Sequence, residues 1–468
     1  MFRMKKENLS PMENHNSSQV TVVMVPLAAQ GHLNQLLHLS RLIAAHNIPV
    51  HYVGSVTHIR QAKLRLHGWD LSNIHFIEFP IPTFTTPPPD HSASHKFPSQ
   101  LVPALTATTH LRHPVHAFVG GLSAAFRRVI VIYDALMAYV VQDMASIHNA
   151  HCYLFRSFSC FCTCSWEAQE WSDLPIPPAA AGSLNQVPSV KGYYSKEFQD
   201  FLDLQFGAKE VSCGEIINSC REIEGLYLDL WAQGIYKKGG LTLWAMGPFN
   251  PAKIPRKTDH ECLKWLNKQP QNSVIFISFG TTTTFSDEQM GEIAAGLERS
   301  KQRFIWVARG ADKGDIFTGN SQQQQQLPEG FEERVRKRGI VVREWAPQME
   351  ILGHRSTGGF MSHCGWNSCL ESITSGVPMA AWPMHSDQPA NAVLVARVLG
   401  IGVEVESWTR QGTGVVAAGR VEEVVNRLML STEGNGMRKR AAELGAKIRN
   451  SILQSEQIES FIAHITNT

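Results

Sequence analysis

Long uninterrupted apolar stretches are missing from this chain. The nearest approach, "RRVIVIYDALMAYVVQDMA", is broken by Arg128, Asp134 and Asp143, so no segment reads as a membrane span. An excess of one charge is missing too. The 43 Lys and Arg against 41 Asp and Glu leave a formal net charge of +2, and no nucleic-acid partner is expected without clustered basic residues. The first twenty residues lack the apolar core of a signal peptide. Residues 1–20 read as a disordered tail, the sequon at Asn16 as unmodified, and the protein as cytoplasmic. The nine cysteines are odd in number and contain no C-x-x-C pair, which fits reduced thiols rather than a disulfide framework or a metal site. Their one cluster, "CFCTC" at 160–164, reads as small hydrophobes of a core segment. Absent as well are G-x-G-x-x-G and G-x-x-x-x-G-K-[ST], which removes the dinucleotide and P-loop readings and with them an oxidoreductase.

What is present is a 468-residue globular composition, 43% hydrophobic and 18% charged, long enough for two domains. "VTVVMVPL" has the β-branched character of a buried parallel strand. "LNQLLHLSRLIAAHN" follows with apolar residues at helical spacing, and "VHYVGS" and "IHFIEFPI" are further strands. This is a βαβ pattern and predicts an α/β parallel sheet; "RRVIVIYD" ends another strand at Asp134. The Pro- and Ser-rich "PIPTFTTPPPDHSASHKFPSQLVPA" is a long, functional loop. The pattern restarts after a linker within "WAMGPFNPAKIPRKTDHE" with "SVIFISFG", "RFIWVAR", "GIVVREWAPQ", "TGGFMSHCG", "PMAAWPM" and "IGVEV", interrupted by the low-complexity "GNSQQQQQLPEG". Two open α/β domains in tandem face a cleft, and ligands bind such sheets beyond the carboxyl ends of their strands.

The most unusual local stretch is "HCGWNS" at 363–368. Gly365 admits a close backbone approach. A helix beginning at Asn367 or Ser368 offers free N–H groups to an anion, with His363 as a further donor. Glu371, four residues after Asn367, shares its helix face and suits a ribose diol. Trp345 offers a flat face for a base and Gln348 a polar arm. Together they describe a metal-free nucleotide site; a capped helix with incidental polar residues is the alternative. His32, at the end of the first strand, has the side chain for a general base near neutral pH. Asp134 is either its orienting partner or the N-cap of a helix beginning "ALMAYVV".

From Trp345 to Gln388 the chain resembles the signature box of the plant secondary-product UDP-glycosyltransferases. "NSCREIEG", "MGPFNP", "CLKWLNKQPQNSVIFISFGT" and "LPEGFEERV" extend the resemblance over nearly all of the chain. It implies the GT-B fold, with two Rossmann-like doubly wound domains: an acceptor-binding domain at 21–246, a linker at 247–260, a UDP-sugar domain at 261–452, and a last helix at 453–468 returning to the first domain. It implies that Trp345 stacks on uracil while the Ala346 backbone meets its polar edge, and that Gln348 and Glu371 bind ribose. Thr281, His363, Asn367 and Ser368 would hold the diphosphate, and Trp366, Asp387 and Gln388 the sugar hydroxyls. His32 and Asp134 would be the catalytic pair of an inverting, monomeric, cofactor-free enzyme. A box ending in Gln goes with UDP-glucose in this family.

The family commonly has proline two residues after the base, where this chain has Asn34. That variant, with "GADKGDIF" and "AWPMHSDQPANAVLVARVL", resembles the zeatin O-glycosyltransferase branch. It implies transfer of glucose to a cytokinin side-chain hydroxyl, with xylose transfer or a phenolic acceptor as alternatives and a non-catalytic sensor as a distant one. Asn34 is the candidate acceptor contact, and "PTFTTPPPDHSASHKF" and "FCTCSWEAQEW" are where acceptor choice would lie.

Overall fold

The computed structural model describes residues 20–64, 66, 70–90, 97–167, 176–190, 192–251, 259–312, 314–317, 326–406, 408, 414–453 and 456–467. The expected tail apart from Val20, the sequon, the glutamine run apart from Gln326, half of the expected linker, and parts of both acceptor-loop stretches lie outside the described residues.

Among the described residues thirteen strands form two parallel sheets. The first contains β1 (Val20–Val25), β2 (Val50–Ser55), β3 (Ile74–Phe79), β4 (Arg128–Asp134), β5 (Ala150–Arg156), β6 (Ser212–Ile217) and β7 (Thr242–Ala245), in the order β3-β2-β1-β4-β5-β6-β7. The second contains β8 (Val274–Ser278), β9 (Arg303–Val307), β10 (Gly339–Val342), β11 (Thr357–Ser362), β12 (Met379–Ala381) and β13 (Gly402–Glu404), in the order β10-β9-β8-β11-β12-β13. Each sheet therefore starts in its middle, grows to one side, and then reverses. The reversal lies between β1 and β4 in one sheet and between β8 and β11 in the other, and it is where such sheets open a ligand crevice.

Alternation explains why the apolar runs become central strands. Val22 and Met24 face one core of the first sheet and Val23 and Val25 the other, and Ile130 and Val131 divide in the same way. In the second sheet Phe276 and Ile277 point to opposite layers. With both faces buried, the runs read as continuously hydrophobic. Strands β5, β6 and β7 were not legible as runs because charge interrupts the first two. Arg156 of β5 and Glu215 of β6 neutralise each other in a bidentate pair at 2.6 and 3.0 Å. The Trp231 indole donates to the same carboxylate at 2.7 Å. A charged residue can sit in a strand when its partner is in the neighbouring one.

The Glu456–Asn467 helix packs on the first sheet, not the second. Phe461 and Ile465 are fully buried beside Val20 and Met24, each burial contributing about 1.5–3 kcal/mol. Arg128 donates to the carbonyls of His464 and Ile465 at 3.2 and 3.3 Å, a cation at a helix C-terminus. "CFCTC" forms most of the Cys160–Glu167 helix. Its three thiols are buried in a core shared with residues of the second sheet's layer such as Phe276 and Val393.

Candidate active site

Beyond β1 the chain turns into the Gln30–Ala44 helix, and His32 lies in its first turn. Asp134, the last residue of the adjacent β4, is fully buried behind it. Its two oxygens do both jobs expected of it. Oδ1 accepts from the Leu136 N–H at 3.0 Å and Oδ2 meets His32 Nδ1 at 2.7 Å. The segment it caps is helical from Ala135, as expected: a 3-10 turn, Ala135–Met137, runs into a four-residue helix, Ala138–Val141. Ser157, just past β5, places its hydroxyl 2.9 Å from the same His32 nitrogen. Nδ1 is thus engaged on the protein side, and Nε2 is left for the cleft. Burial lowers the basicity of His32, but the charge and hydrogen bond of Asp134 and the charge of Asp387 outweigh it, so the imidazole titrates above 6.5.

The facing wall begins where β11 runs into the Trp366–Ser375 helix, one residue earlier than the sequence predicts, with Gly365 as the N-cap. Its N-cap offers no side chain; the Trp366 N–H is taken by the Asp387 carboxylate, and the N–H groups of Asn367 and Ser368, which line the cleft, are those suited to an anion. His363 is wedged between two turns: a Cβ on Gly280 or on Gly365 would come within 2.6 Å of its Nε2. Gly280 also has φ +77, so glycine is required there twice over. Burial pushes His363 down to about 4, offset in part by a bond to the Ser278 carbonyl; it is neutral at pH 7, with a single N–H, and not a cation.

Around this helix the expected donor residues converge. Gln348 donates to Ser368 Oγ at 3.0 Å and to Glu371 Oε2 at 2.7 Å, fixing that carboxylate at the edge of the cleft. Trp345 is 47% exposed at the mouth. Asp387 is pushed up to about 6 by burial, against the Asn391 amide that donates to it at 2.7 Å. Asn391 in turn accepts from Ser159 of the first domain at 2.7 Å. Gln388 uses its amide oxygen to accept from the N–H groups of Met384 and His385 at 2.8 and 3.1 Å, while its NH2 group meets the His385 Nε2 at 3.4 Å.

A cavity of about 760 Å³ joins the two walls. It is lined by His32, Asn34, Thr281, Trp345, Ala346, Gln348, His363, Trp366, Asn367, Ser368, Glu371, Asp387 and Gln388. Two of these side chains are engaged within the protein. The Trp366 indole is 3% exposed and donates to the Asn218 carbonyl at 2.9 Å, so it is not available to a sugar hydroxyl. The Asn367 amide donates to the Gly31 carbonyl at 2.7 Å, so it also joins the two walls. At the acceptor end Phe97, Phe158, Trp166 and Phe198 make an apolar lobe, with Phe97 and Phe198 stacked at 3.6 Å. Asn34 lines this end. Gln61 donates to Gln30 at 2.9 Å and Gln30 to the Asn34 amide oxygen at 2.6 Å, so Asn34 presents its NH2 group to the cavity.

Sequence reasoning missed Ser157, Gln35, Asn218 and Asn391. Each lies outside the signature box, and each acts through contacts between segments remote in sequence. The "NSCREIEG" stretch carried a signal for Asn218 but gave it no role.

Residues 18–251 match the family described as "Glycosyltransferase, N-terminal domain" and residues 251–433 that described as "UDP-glucoronosyl and UDP-glucosyl transferase". The chain is 50% identical over 459 residues to a zeatin O-glucosyltransferase of Phaseolus lunatus, spanning 96% of this chain and 98% of that one. It is equally 50% identical over 463 residues to a zeatin O-xylosyltransferase of Phaseolus vulgaris, spanning 97% and 100%. Among solved structures, a UGT transferase from Siraitia grosvenorii in complex with UDP is similar at TM-score 0.72 and 27% identity, over 95% of this chain and 99% of that one. A UDP-glucosyltransferase from Polygonum tinctorium is similar at TM-score 0.77 and 25% identity, over 97% and 100%.

Proposed function

This chain belongs to the UDP-glycosyltransferase family, a GT-B enzyme that moves a sugar from a UDP-sugar to a small molecule, and from that premise we propose that it glucosylates the side-chain hydroxyl of a cytokinin of the zeatin type. His32 is the base. The acceptor O–H proton passes to Nε2 as the oxygen attacks the anomeric carbon and the bond to UDP breaks. This single displacement inverts the α-linked donor to a β-glycoside. Negative charge accumulates on the departing diphosphate and is received by the open N–H groups of the Trp366–Ser375 helix, with Thr281, Ser368 and neutral His363 beside them. A site built from such donors needs no metal. Trp345 stacks on the base, Gln348 and Glu371 take the ribose, and Asp387 and Gln388 take the sugar.

The observation that carries the reading is that His32 and the open end of that helix face one cavity and are tied together, Asn367 to Gly31, at 2.7 Å. Relatives at 50% identity named for zeatin support the acceptor. So does the apolar lobe with the Asn34 NH2 group at its edge, a donor suited to a purine ring nitrogen. Glucose is taken over xylose because the box ends at Gln388. Both halves of the site come from one chain, in keeping with a monomer, and no described helix is long and apolar enough to cross a membrane; the proposed location is the cytoplasm.

The test is a panel of trans-zeatin, cis-zeatin, flavonoids and simple phenols, each with UDP-glucose and UDP-xylose. Fastest turnover on a zeatin with UDP-glucose is expected. Preference for a phenol removes the acceptor assignment, and preference for UDP-xylose removes the sugar assignment. A His32→Ala protein that binds UDP normally but has lost turnover is expected; undiminished turnover removes the base.

A further inference from the structure

The two walls of the cleft are joined by hydrogen bonds that neither substrate contact nor proton transfer calls for. Ser157, whose hydroxyl touches His32 Nδ1, accepts at its carbonyl from Gln35 Nε2 at 2.6 Å. Gln35 Oε1 accepts from Asn218 Nδ2 at 2.9 Å. The Asn218 carbonyl accepts from the Trp366 indole at 2.9 Å, while its side-chain oxygen is held by the Phe249 N–H at 3.0 Å. Trp366 opens the anion-binding helix, and its neighbour Asn367 donates to the Gly31 carbonyl at 2.7 Å, next to His32. The circuit is closed. It leaves the base through Ser157, crosses to the donor domain at Asn218 and Trp366, and returns at Gly31.

We propose that this ring is a positioning device, with Asn218 as its hub, that sets the separation between the His32 imidazole and the diphosphate leaving group. Asn218 is 1% exposed and Gln35 4%, and Asn218 is not among the residues lining the cavity, so its influence reaches the chemistry only through its partners. The physical need is clear. In a single displacement the base, acceptor oxygen and anomeric carbon must be near attack distance at once, and these groups are held by different domains. The apolar contacts between the domains are non-directional and tolerate sliding. Hydrogen bonds are directional, and an indole N–H or amide left unpaired in this core is penalised. The domain register that satisfies every member of the ring is thereby selected, and a shift of about 1 Å from a remote change can cost on the order of a hundredfold in rate.

The inference rests on His32 as base and the Trp366–Ser375 helix as the diphosphate site, and its test separates the two. Trp366→Phe removes the N–H together with the five-membered part of the indole and keeps an aromatic ring in the site. Gln35→Met opens the ring on the other side of the hub and supplies a second variant that does not touch the donor helix. For each, kcat is expected to fall about tenfold to a hundredfold. UDP affinity by calorimetry should stay within about twofold, and the acid limb of the pH profile should stay in place. The double variant should be no slower than the slower single one, since a ring opened once is already open. A kcat within twofold of wild type in both variants overturns the proposal, as does UDP affinity that falls in step with kcat, or losses that multiply. If His32→Ala keeps its turnover, the base assignment itself is lost, a failure distinct from these.

Discussion

Replacing Asp134 with asparagine isolates its charge. An amide oxygen can still accept from the Leu136 N–H, so the cap survives, while the negative charge 2.7 Å from His32 Nδ1 is removed. At an effective dielectric of ~20, unit charges ~4 Å apart interact by about 4 kcal/mol. His32 is 24% exposed and solvent screening reduces this, but loss of the charge should still lower the pH at which the imidazole titrates. In the wild type, Asp134 outweighs the burial that lowers His32. With the charge gone burial prevails, and the imidazole should titrate below 6.5. Since the base must be neutral, kcat/KM of the wild type should fall on the acid side with a midpoint above 6.5, and the variant's midpoint should move down, below 6.5. Its plateau kcat should also fall, by about 10²–10⁴, because the imidazolium formed during transfer has lost its stabilising partner. The stability effect has the opposite pH sense. A histidine raised in the folded state contributes fully below its unfolded value, 6.5, and loses that contribution as pH rises through the folded value. Asp134→Asn should therefore lower the melting temperature more at pH 5.5 than at pH 8.5. An acid limb that stays put or moves upward would refute the reasoning, whatever happens to the rate.

Trp345→Ala should weaken UDP about tenfold to a hundredfold, the loss of one stacked base at roughly 1–3 kcal/mol, with little change in kcat at saturating donor; calorimetry showing unaltered affinity would remove the ring from the uracil site. Asn34→Asp replaces the NH2 group facing the cavity with an acceptor, so KM for a zeatin should rise while that for a simple phenol holds, and equal changes for both would sink the ring-nitrogen contact. Glu224, buried and bonded to the N–H groups of Cys160 and Phe161 and to Ser219, is pushed by burial up to about 7 against those bonds. A carboxyl raised in the folded state stabilises below its unfolded value, 4.5, and that contribution is lost as pH rises through about 7. Relative to Glu224→Gln, the wild type should lose about 2–3 kcal/mol between pH 5 and pH 8, read from melting temperatures; a constant gap between the two proteins would contradict it.

The central strands and the donor site were legible because their signals are local. Strands buried on both faces carry apolar, β-branched-rich runs, and β1, β4 and β8 were visible for that reason, whereas β11, "TGGFMS", was visible from the glycine turn and helix start that follow it. The donor residues other than Thr281 lie within one segment, 345–388, where helix start, glycine turn and polar face follow one another along the chain. What was not legible depends on partners far away in sequence. Arg156 looks like a strand terminator until Glu215 is placed beside it, and Trp366 looks like a sugar ligand until Asn218 takes its N–H. Ser157 carries no signal at all in its own neighbourhood, since a serine after a strand is commonplace. It matters because its strand, β5, was itself obscured by charge.

The two sheets have the same order of strands, yet their reversal points are equipped for opposite halves of one reaction. At the first, β1 and β4 deliver a histidine and a buried carboxylate, groups that accept and stabilise a proton. At the second, in the proposed reading, β8 and β11 deliver neutral His363, with Gly280 making room for it, and the start of the Trp366–Ser375 helix, groups suited to receive an anion. Neither point can complete a displacement, because proton removal without charge acceptance leaves the leaving group unstabilised, and the reverse leaves the nucleophile protonated. Activity is therefore a property of the domain interface, and the residues that set that interface carry catalytic weight although they touch no substrate. This is why Trp366 and Asn367, expected among the ligands, belong to the frame: a helix can hold phosphate through its backbone N–H groups while its first two side chains fasten it to the domain that holds the base.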